Sequence, residues 1–290
     1  MKIVDDFDDY EIIDAANGEK LERWGNIYLL RPDPQVVWQG SDLAKEYKGL
    51  INAHYHRSNK GGGYWEEINS MPDRWTINYK GLVFNLKKMG FKHTGLFPEQ
   101  AINWNRMMDT IKESSKDIKV LNLFAYTGGA SLACLKAGAS EVHVDSSKGM
   151  VQWAKENVKS SNLEDRPIRF LVDDVKKFVA REIRRGNKYD AIIMDPPSYG
   201  KGANNEVWSI ETDLDELITM TSSLLSDKPL FYLINSYTTG LSSTVMENIL
   251  KLRILPNHKG KVDSYEIGLK IKKNDLVLPA GISTWVDFDE

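Results

Sequence analysis

KVLNLFAYTGGASLACLKAGASEVHVD, residues Lys119 to Asp145, is the stretch whose reading decides the fold. Val120-Leu121-Asn122-Leu123-Phe124 is a short apolar run of the kind a buried parallel strand needs. Thr127-Gly128-Gly129 breaks that run, and the missing side chains permit a tight turn and a close backbone approach to a ligand. From Ala130 the residues Ser131-Leu132-Ala133-Cys134-Leu135 favour a helix, and Gly138 stands where its C-cap belongs. A second apolar run, Glu141-Val142-His143-Val144, ends on Asp145. The stretch reads as a strand–turn–helix–strand unit with a carboxylate at the end of its second strand. In such units the first turn approaches a nucleotide-like ligand and the later acid hydrogen-bonds ribose hydroxyls.

Beyond Asp145 the alternation continues. Lys148 to Ser160 reads as a helix with Met150, Val151, Trp153, Ala154 and Val158 as its apolar stripe. The strand Ile168 to Val172 ends on Asp173-Asp174, a helix follows from Val175 to Arg185, and the strand Tyr189 to Met194 ends on Asp195-Pro196-Pro197. A helix over about Asp213 to Leu225, a strand from Pro229 to Ile234, a helix over about Ser243 to Leu252 and strands Val262 to Leu269 and Ser283 to Phe288 complete the series. Strands alternating with helices give an α/β fold, Rossmann-like, with a largely parallel sheet covered on both faces.

Residues 1–85 differ and read as a small β-rich N-terminal domain with a possible role in substrate recognition, leaving 86–290 as the α/β domain. Acids crowd the first turns, from Asp5 to Asp14. Strands are expected at Ile27 to Leu30, Gln35 to Trp38 and Trp75 to Tyr79, with one helix near Leu43 to Ala53 and a flexible loop over Asn59 to Trp65. Arg57, Lys60, Tyr64 and Trp65 offer a base-stacking, phosphate-holding edge; the alternative is that the aromatics fill a small core and the glycines make a hairpin. A hairpin is also expected from Leu82 to Leu86 turning through Lys87 to Lys92. Pro98 then begins a helix running to Ile111, either a wall of the ligand pocket or a cover for the sheet edge.

The bulk numbers narrow the function. At 290 residues, 41% hydrophobic and 27% charged, the chain suits a globular enzyme with a real core. No membrane-length apolar run occurs, and the acidic start is unlike a signal or transit peptide. The net charge of −3 provides no global attraction to nucleic acid, so any such binding must rest on a local patch. The single cysteine, Cys134, excludes an intramolecular disulfide and points to a reducing, cytoplasmic setting. None of the five histidines shows a metal-ligand spacing: His54 and His56 are too close for one helical face and lack a carboxylate partner set, so no metal is expected.

In an open α/β sheet, ligands bind beyond the carboxyl ends of the strands. Asp145, Asp173-Asp174 and Asp195 recur at those ends, although Asp174 is also placed to cap the helix that starts at Val175. With Gly128-Gly129 they make one rim, suited to a nucleoside with a cationic tail: the glycine turn for the tail, Asp145 for ribose, Asp174 for an adenine amino group, Asp195 near the reacting centre.

LNLFAYTGG (Leu121–Gly129), VDSS (Val144–Ser147), DDV (Asp173–Val175) and DPPSYG (Asp195–Gly200) together resemble the motif series of class I S-adenosylmethionine-dependent methyltransferases. The closest look is to the branch of the ribosomal large-subunit RNA methyltransferases of the I and K/L types, whose segment upstream of the cofactor site GLFPEQAINWNRM (Gly95–Met107) resembles. The likeness covers about residues 80 to 290. It implies a seven-stranded sheet with the last strand antiparallel, and S-adenosyl-L-methionine as cofactor. It places the cofactor on Asn122, Phe124, Ala125, Tyr126, Thr127, Gly128, Gly129, Asp145, Ser146, Asp173, Asp174, Val175 and Asp195, and catalysis on Asp195, Pro196, Pro197 and Tyr199. The family's first-strand acid is Asn122 here, and the first glycine of its commonest loop is Tyr126. Neither the second catalytic domain of the K/L type nor the RNA-binding domain of the I type finds a match in residues 1–80.

The resemblance implies methyl transfer to a base nitrogen of structured RNA, with ribosomal RNA as the leading acceptor. Asp195 and the Pro196 carbonyl would accept hydrogen bonds from an exocyclic amine, and Tyr199 would stack on the base. Carbon methylation of a pyrimidine requires a thiol, which branch members place where this chain reads Asn235-Ser236-Tyr237, and Cys134 lies mid-helix among apolar residues. Residues 200–205 read as a loop that orders over substrate, or as plain linker. A methyltransferase acting on a small molecule and a non-catalytic RNA-binding protein are the alternatives; an NAD-dependent oxidoreductase is disfavoured because GxGxxG is absent after the first strand.

Overall fold

The computed structural model describes residues 1–59, 61–201 and 207–289. The chain forms two compact units, Met1–Ala101 with Ile267–Ala280, and Ile102–Glu266 with Gly281–Glu290.

The first unit contains β1 (Lys2–Val4), β2 (Tyr10–Ala16), β3 (Glu19–Trp24), β4 (Ile27–Pro32), α1 (Leu43–Glu46), β5 (Ala53–Arg57), β6 (Gly63–Glu67), β7 (Arg74–Tyr79) and β8 (Leu82–Lys87). Strands β2 to β6 make a five-stranded sheet in chain order, antiparallel except for β4 and β5. Asn17-Gly18 joins β2 to β3 and Lys80-Gly81 joins β7 to β8, all four residues with positive φ, as a tight hairpin turn that matches strand twist requires. Ala16, Leu21, Leu30, Leu43 and Ile51 pack as one buried cluster. The acids of the early strands are paired across the unit: Glu11 with Arg23 at 2.7 Å and Asp14 with Lys273 at 2.6 Å. Glu22, fully buried, is gripped by both arms of Arg31 and by the Tyr10 hydroxyl. Burial alone would raise its pKa, yet the Arg31 charge wins and holds it at about 2.

Several local expectations are corrected here. Gln35 to Trp38 is not a strand; the Trp38 indole instead donates to the Ala15 carbonyl. The helix near Leu43 to Ala53 is the single turn α1, capped by Asp42, and Ala53 already begins β5. Asn59 to Trp65 is a hairpin connection whose return strand β6 starts at Gly63, with Lys60 outside the described residues. The hairpin of Leu82 to Leu86 is made with the preceding strand β7, not by turning through Lys87 to Lys92.

The second unit is built from α2 (Ala101–Glu113), β9 (Lys119–Leu123), α3 (Gly129–Lys136), β10 (Ser140–Asp145), α4 (Lys148–Ser160), β11 (Ile168–Val172), α5 (Val175–Arg185), β12 (Ala191–Met194), the short β13 (Tyr199–Lys201) and β14 (Val207–Ser209), α6 (Ile210–Ser222), β15 (Phe231–Ser236), α7 (Ser243–Arg253), β16 (Gly260–Lys270) and β17 (Val277–Phe288). Pro98 opens a 3-10 turn, Pro98–Gln100, and the α-helix proper begins at Ala101; α6 lies three residues upstream of its expected span at both ends. The sheet runs β11-β10-β9-β12-β15-β17-β16, with β9 to β12 and β15 parallel and β17 antiparallel to β15. The outer ends of β16 and β17 belong to the first unit, where β1 adds to β16 in parallel as an eighth strand.

Strands β9, β12 and β15 are buried on both faces, which is why apolar residues dominate them, with Asn122, Asn235 and Ser236 as buried polar exceptions. Leu121 and Leu123, Ile192 and Met194, Tyr232 and Ile234 point into one cluster with Phe178, Leu217 and Leu250. The strand order reverses at β9: the chain builds β10 on one side of it and later β12 on the other. That reversal puts a ligand crevice beyond the carboxyl ends of β9, β10 and β12.

Candidate functional site

The turn that leaves β9 is held in an unusual backbone. Phe124 (φ 55°) and Tyr126 (φ 52°), with a Cβ each, and Gly128 (φ 84°) all sit in the left-handed region. Each such non-glycine residue costs on the order of 1–3 kcal/mol and persists only where its surroundings fix it. Here the fixing bonds are visible. The Ala125 N–H donates to the Val144 carbonyl (3.0 Å) and the Gly128 N–H to the Ala125 carbonyl (3.0 Å). The Tyr126 N–H donates to Asp145 Oδ2 (2.9 Å), and the Asn157 amide of α4 donates to the Thr127 carbonyl (2.9 Å). Gly128 takes the left-handed turn the sequence calls for, and both glycines also meet neighbouring helices. A Cβ on Gly128 would come within 3.1 Å of Ala154 Cβ, and one on Gly129 within 2.9 Å of the Trp104 indole. The close approach they permit is to helices α4 and α2.

Asp145 is the hinge of the rim. Its Oδ1 accepts from the Ser147 N–H (2.8 Å) and its Oδ2 from Tyr126, while its carbonyl accepts the Asp173 N–H (3.0 Å). Burial pushes its carboxyl pKa up, and the N–H groups of Ser147 and Tyr126 pull it back. On the next strand, Asp195 N–H reaches the Leu123 carbonyl at 3.4 Å. Backbone hydrogen bonds thus join Leu123–Tyr126, Val144–Asp145, Asp173 and Asp195 into one edge. Ser146 is exposed beside it, while Ser147 caps α4. Asp174 is the N-cap of α5, its Oδ1 taking the Lys177 N–H at 2.9 Å; Asp173 pairs with Arg181, and the Val175 side chain lies in the core.

After β12 the chain places Asp195 half-buried, Pro196 buried, Pro197 exposed and Tyr199 58% exposed. The segment is pinned from three sides. Trp208 Nε1 donates to the Pro197 carbonyl (2.6 Å), Ser198 Oγ meets Thr238 Oγ1 (2.6 Å), and the Ile210 N–H donates to the Ser198 carbonyl (3.0 Å). Trp208 also packs on Phe124, ring centroids 5.4 Å apart, so one indole links the turn after β9 to the segment after β12. Sequence reasoning passed over Trp208, Asn157 and Thr238, because nothing in their local pattern separates them from core or loop residues. Of the loop expected at residues 200–205, Gly200 and Lys201 belong to β13, and residues 202–206 lie outside the described residues.

Asn122 turns its side chain inward. Its amide donates to Ser131 Oγ (3.1 Å), which contacts Glu141 Oε1 and His143 Nδ1 (2.8 Å), all four residues being buried beneath the turn. Burial lifts Glu141 from 4.5 to about 7, against the hydrogen bonds of Ser131 and Asn122, and depresses His143 to about 3. The two groups act in opposite directions. Folded protein holds the Glu141 proton more tightly than unfolded chain, so stability from this group is full below 4.5 and lost as pH rises through 7. His143 binds its proton less tightly when folded, so stability falls as pH drops from 6.5 through 3. Glu141→Gln is expected to raise stability at about pH 8 by on the order of 2–3 kcal/mol and to change it little at about pH 4. Urea unfolding at the two pH values checks this; an equal shift at both would contradict it.

Two further sequence readings meet the structure here. Cys134 is fully buried in α3 with burial driving its thiol pKa well up, and its Sγ lies 3.9 Å from Met107 Sδ, as a small apolar residue would. Asn235, in the segment where the resemblance would place a thiol for carbon methylation, is buried and accepts from Ser283 (2.7 Å) and Asn103 (3.2 Å). The expectation that His54 and His56 lack carboxylate partners is wrong: on a strand they share a face, and Glu19 and Glu66 contact them.

The comparisons with known proteins now bear on this geometry. The model of the S-adenosylmethionine-dependent methyltransferase family matches residues 30–237. This chain belongs to that family. A SAM-dependent methyltransferase from Agrobacterium tumefaciens is 32% identical, with a TM-score of 0.92 over 99% of this chain and 92% of that one. SMU.776 complexed with SAH, 18% identical with a TM-score of 0.78, shares the fold over 98% of this chain and 76% of that one. Among curated proteins, ribosomal RNA large subunit methyltransferase K of Neisseria meningitidis serogroup B is 24% identical over 242 residues, 79% of this chain and 65% of that protein. Methyltransferase K/L of Colwellia psychrerythraea is 28% identical over 162 residues, 55% of this chain and 22% of its own length. The methyltransferase thus spans less than two thirds of these curated relatives. Its α/β sheet, with an antiparallel β17, is the class I arrangement expected from the motifs, and S-adenosyl-L-methionine is its cofactor.

Proposed function

We propose that the methyltransferase transfers the methyl group of S-adenosyl-L-methionine to a base nitrogen of structured RNA, ribosomal RNA being the acceptor that its curated relatives' names specify. The observation that carries this reading is the segment after β12. A half-buried acid, Asp195, is followed by a pinned proline pair and by Tyr199, whose ring is 58% exposed. That is an acceptor beside a flat apolar platform, the pair a splayed-out base needs. Stacking of a base on Tyr199 would contribute roughly 1–3 kcal/mol.

The residues of the rim fit the cofactor. Each Asp145 oxygen accepts one N–H and, as a carboxylate, has capacity for a further donor such as a ribose hydroxyl. Phe124–Gly129 and Ser146 would enclose the methionine and ribose side, with Asn122 supporting the turn from beneath, and Asp173, Asp174 and the Val175 backbone the adenine. The cofactor supplies an electrophilic methyl on a cationic sulfur. Asp195 and the Pro196 carbonyl would accept hydrogen bonds from an exocyclic amine and turn its lone pair toward the methyl. As the N–C bond forms the methyl–sulfur bond breaks to leave a neutral thioether, and the Asp195 carboxylate would take up the proton the nitrogen gives up. A thiolate route to pyrimidine carbon has no nucleophile, since Cys134 is the only thiol and is buried. The first unit, with residues 1–85 as its core, is assigned to substrate recognition, and the setting is the cytoplasm; no helix among the described residues is long and apolar enough to cross a membrane.

The test is transfer of labelled methyl from S-adenosylmethionine to ribosomal RNA and, separately, to the small-molecule fraction of the same cells. Label recovered in an N-methylated base, with activity falling steeply as salt is raised, is the expected outcome, because phosphate contacts release counterions. Label found only in small molecules would transfer the assignment to that class, which the net charge of −3 favours.

A further inference from the structure

His54 and His56 stand two apart on β5, so both imidazoles leave the same face of the strand. Across the antiparallel ladder Glu66 is directly opposite His54, and Tyr64 is opposite His56, which brings a carboxylate and a phenol ring onto that face. Glu19, the first residue of β3, reaches the same place. Its Oε1 is 2.5 Å from His54 Nε2, and Glu66 Oε2 is 2.7 Å from His56 Nε2. The ligand atoms of His54, His56 and Glu66 all lie within 4.8 Å of one another. The two imidazole centroids are 3.9 Å apart, and the Tyr64 ring stacks on His56 at 5.1 Å.

We propose that His54 Nε2, His56 Nε2 and the carboxylates of Glu66 and Glu19 form a divalent metal site, with zinc as the ion it suits. Two neutral imidazoles and two carboxylates carry a charge of −2, which a dication balances. Nitrogen and oxygen donors without a thiolate suit zinc in four-coordinate geometry, with bonds of roughly 2.0–2.2 Å. Such bonds set tetrahedral ligand atoms roughly 3.3 Å apart, so each carboxylate moves out from the imidazole it now bonds. The wider-spaced ligand atoms of His54, His56 and Glu66 close in on the ion, and Glu19, beside His54, completes the set. Each neutral imidazole presents its unprotonated Nε2 to the ion and keeps its ring proton on Nδ1. His54 is 8% exposed and fixed in the sheet, whereas His56 and Glu66 are open to solvent, which gives the ion a way in. The ligands come from β3, β5 and β6, so the ion ties three strands of one sheet. The site is structural and independent of the rim that holds the cofactor.

The full chain, free of any polyhistidine tag, is stripped with EDTA and titrated calorimetrically with zinc chloride, and bound metal is measured after dialysis. About one zinc per chain, micromolar or tighter binding, and a Tm that rises with zinc are expected. His56→Ala is expected to weaken binding at least ~30-fold and abolish the Tm response, while His258→Ala, a histidine of the second unit, changes neither. An unchanged Tm of His56→Ala in EDTA establishes that the variant is folded. No uptake at about 100 μM zinc, or uptake undiminished in His56→Ala, would overturn the site.

Discussion

Asp195→Ala is expected to lower the rate of methyl transfer by roughly 10²–10³ while S-adenosylmethionine affinity stays within about fivefold. The separation follows from position. Asp195 leaves β12, and its N–H is tied to the Leu123 carbonyl, so the backbone of the rim survives loss of the side chain. What goes is the acceptor that orients an amine and receives its proton. Trp208 still holds the Pro197 carbonyl and Thr238 the Ser198 hydroxyl, which keeps Tyr199 in place. Single-turnover transfer to RNA, with cofactor affinity measured by calorimetry on the same preparation, checks the separation. A variant with full activity would show that methyl transfer does not pass through this acid.

The second large effect belongs to Asp145→Ala. If each ribose hydroxyl gives a charge-assisted hydrogen bond of about 1.5–3 kcal/mol, losing two raises the Kd for the cofactor by at least ~100-fold. The substitution also removes the acceptor of the Tyr126 N–H, one of the bonds that hold a left-handed residue in the turn. Asp145→Asn keeps an oxygen acceptor and is expected to lose less. Since burial raises the Asp145 pKa, affinity should also fall as pH drops into the carboxylate range, and this dependence should vanish in the alanine variant. Calorimetric titrations of the three proteins over pH decide it; a Kd for Asp145→Ala within about threefold of the parent would remove Asp145 from the site.

Much of the second unit was legible because its strands are buried on both faces and bounded by turn residues. Val120 to Leu123, Ala191 to Met194 and Phe231 to Ile234 read as apolar runs, Asn122 apart, and the acids after Val144 and Met194 mark the rim. The first unit was less so. Asn17-Gly18, a strong hairpin signal, was hidden because the alternation of β2 is interrupted by an irregularity between Ile12 and Asp14. The parallel pairing of β4 with β5 and the return of Ile267–Ala280 to this unit depend on contacts far apart in sequence and leave no local mark. His54 and His56 were judged at helical spacing, where two apart means different faces; on β5 the same spacing means one face. Asn122 and Asp174 show how chemistry and structure compete for one residue: the first bonds Ser131 beneath the turn, and the second caps α5. Trp208 could not be found at all, because its role comes from meeting Phe124 and Pro197 across 84 and 11 residues of chain.

The most direct test is a crystal structure of the chain with S-adenosylhomocysteine. The expected density has ribose hydroxyls on Asp145, the thioether against Phe124–Gly129, the adenine beside Asp173–Val175, and the sulfur facing Asp195 with Tyr199 open to an acceptor base. A nucleoside bound elsewhere, with Asp145 making no contact to ribose, would contradict the site proposed from the carboxyl ends of β9, β10 and β12.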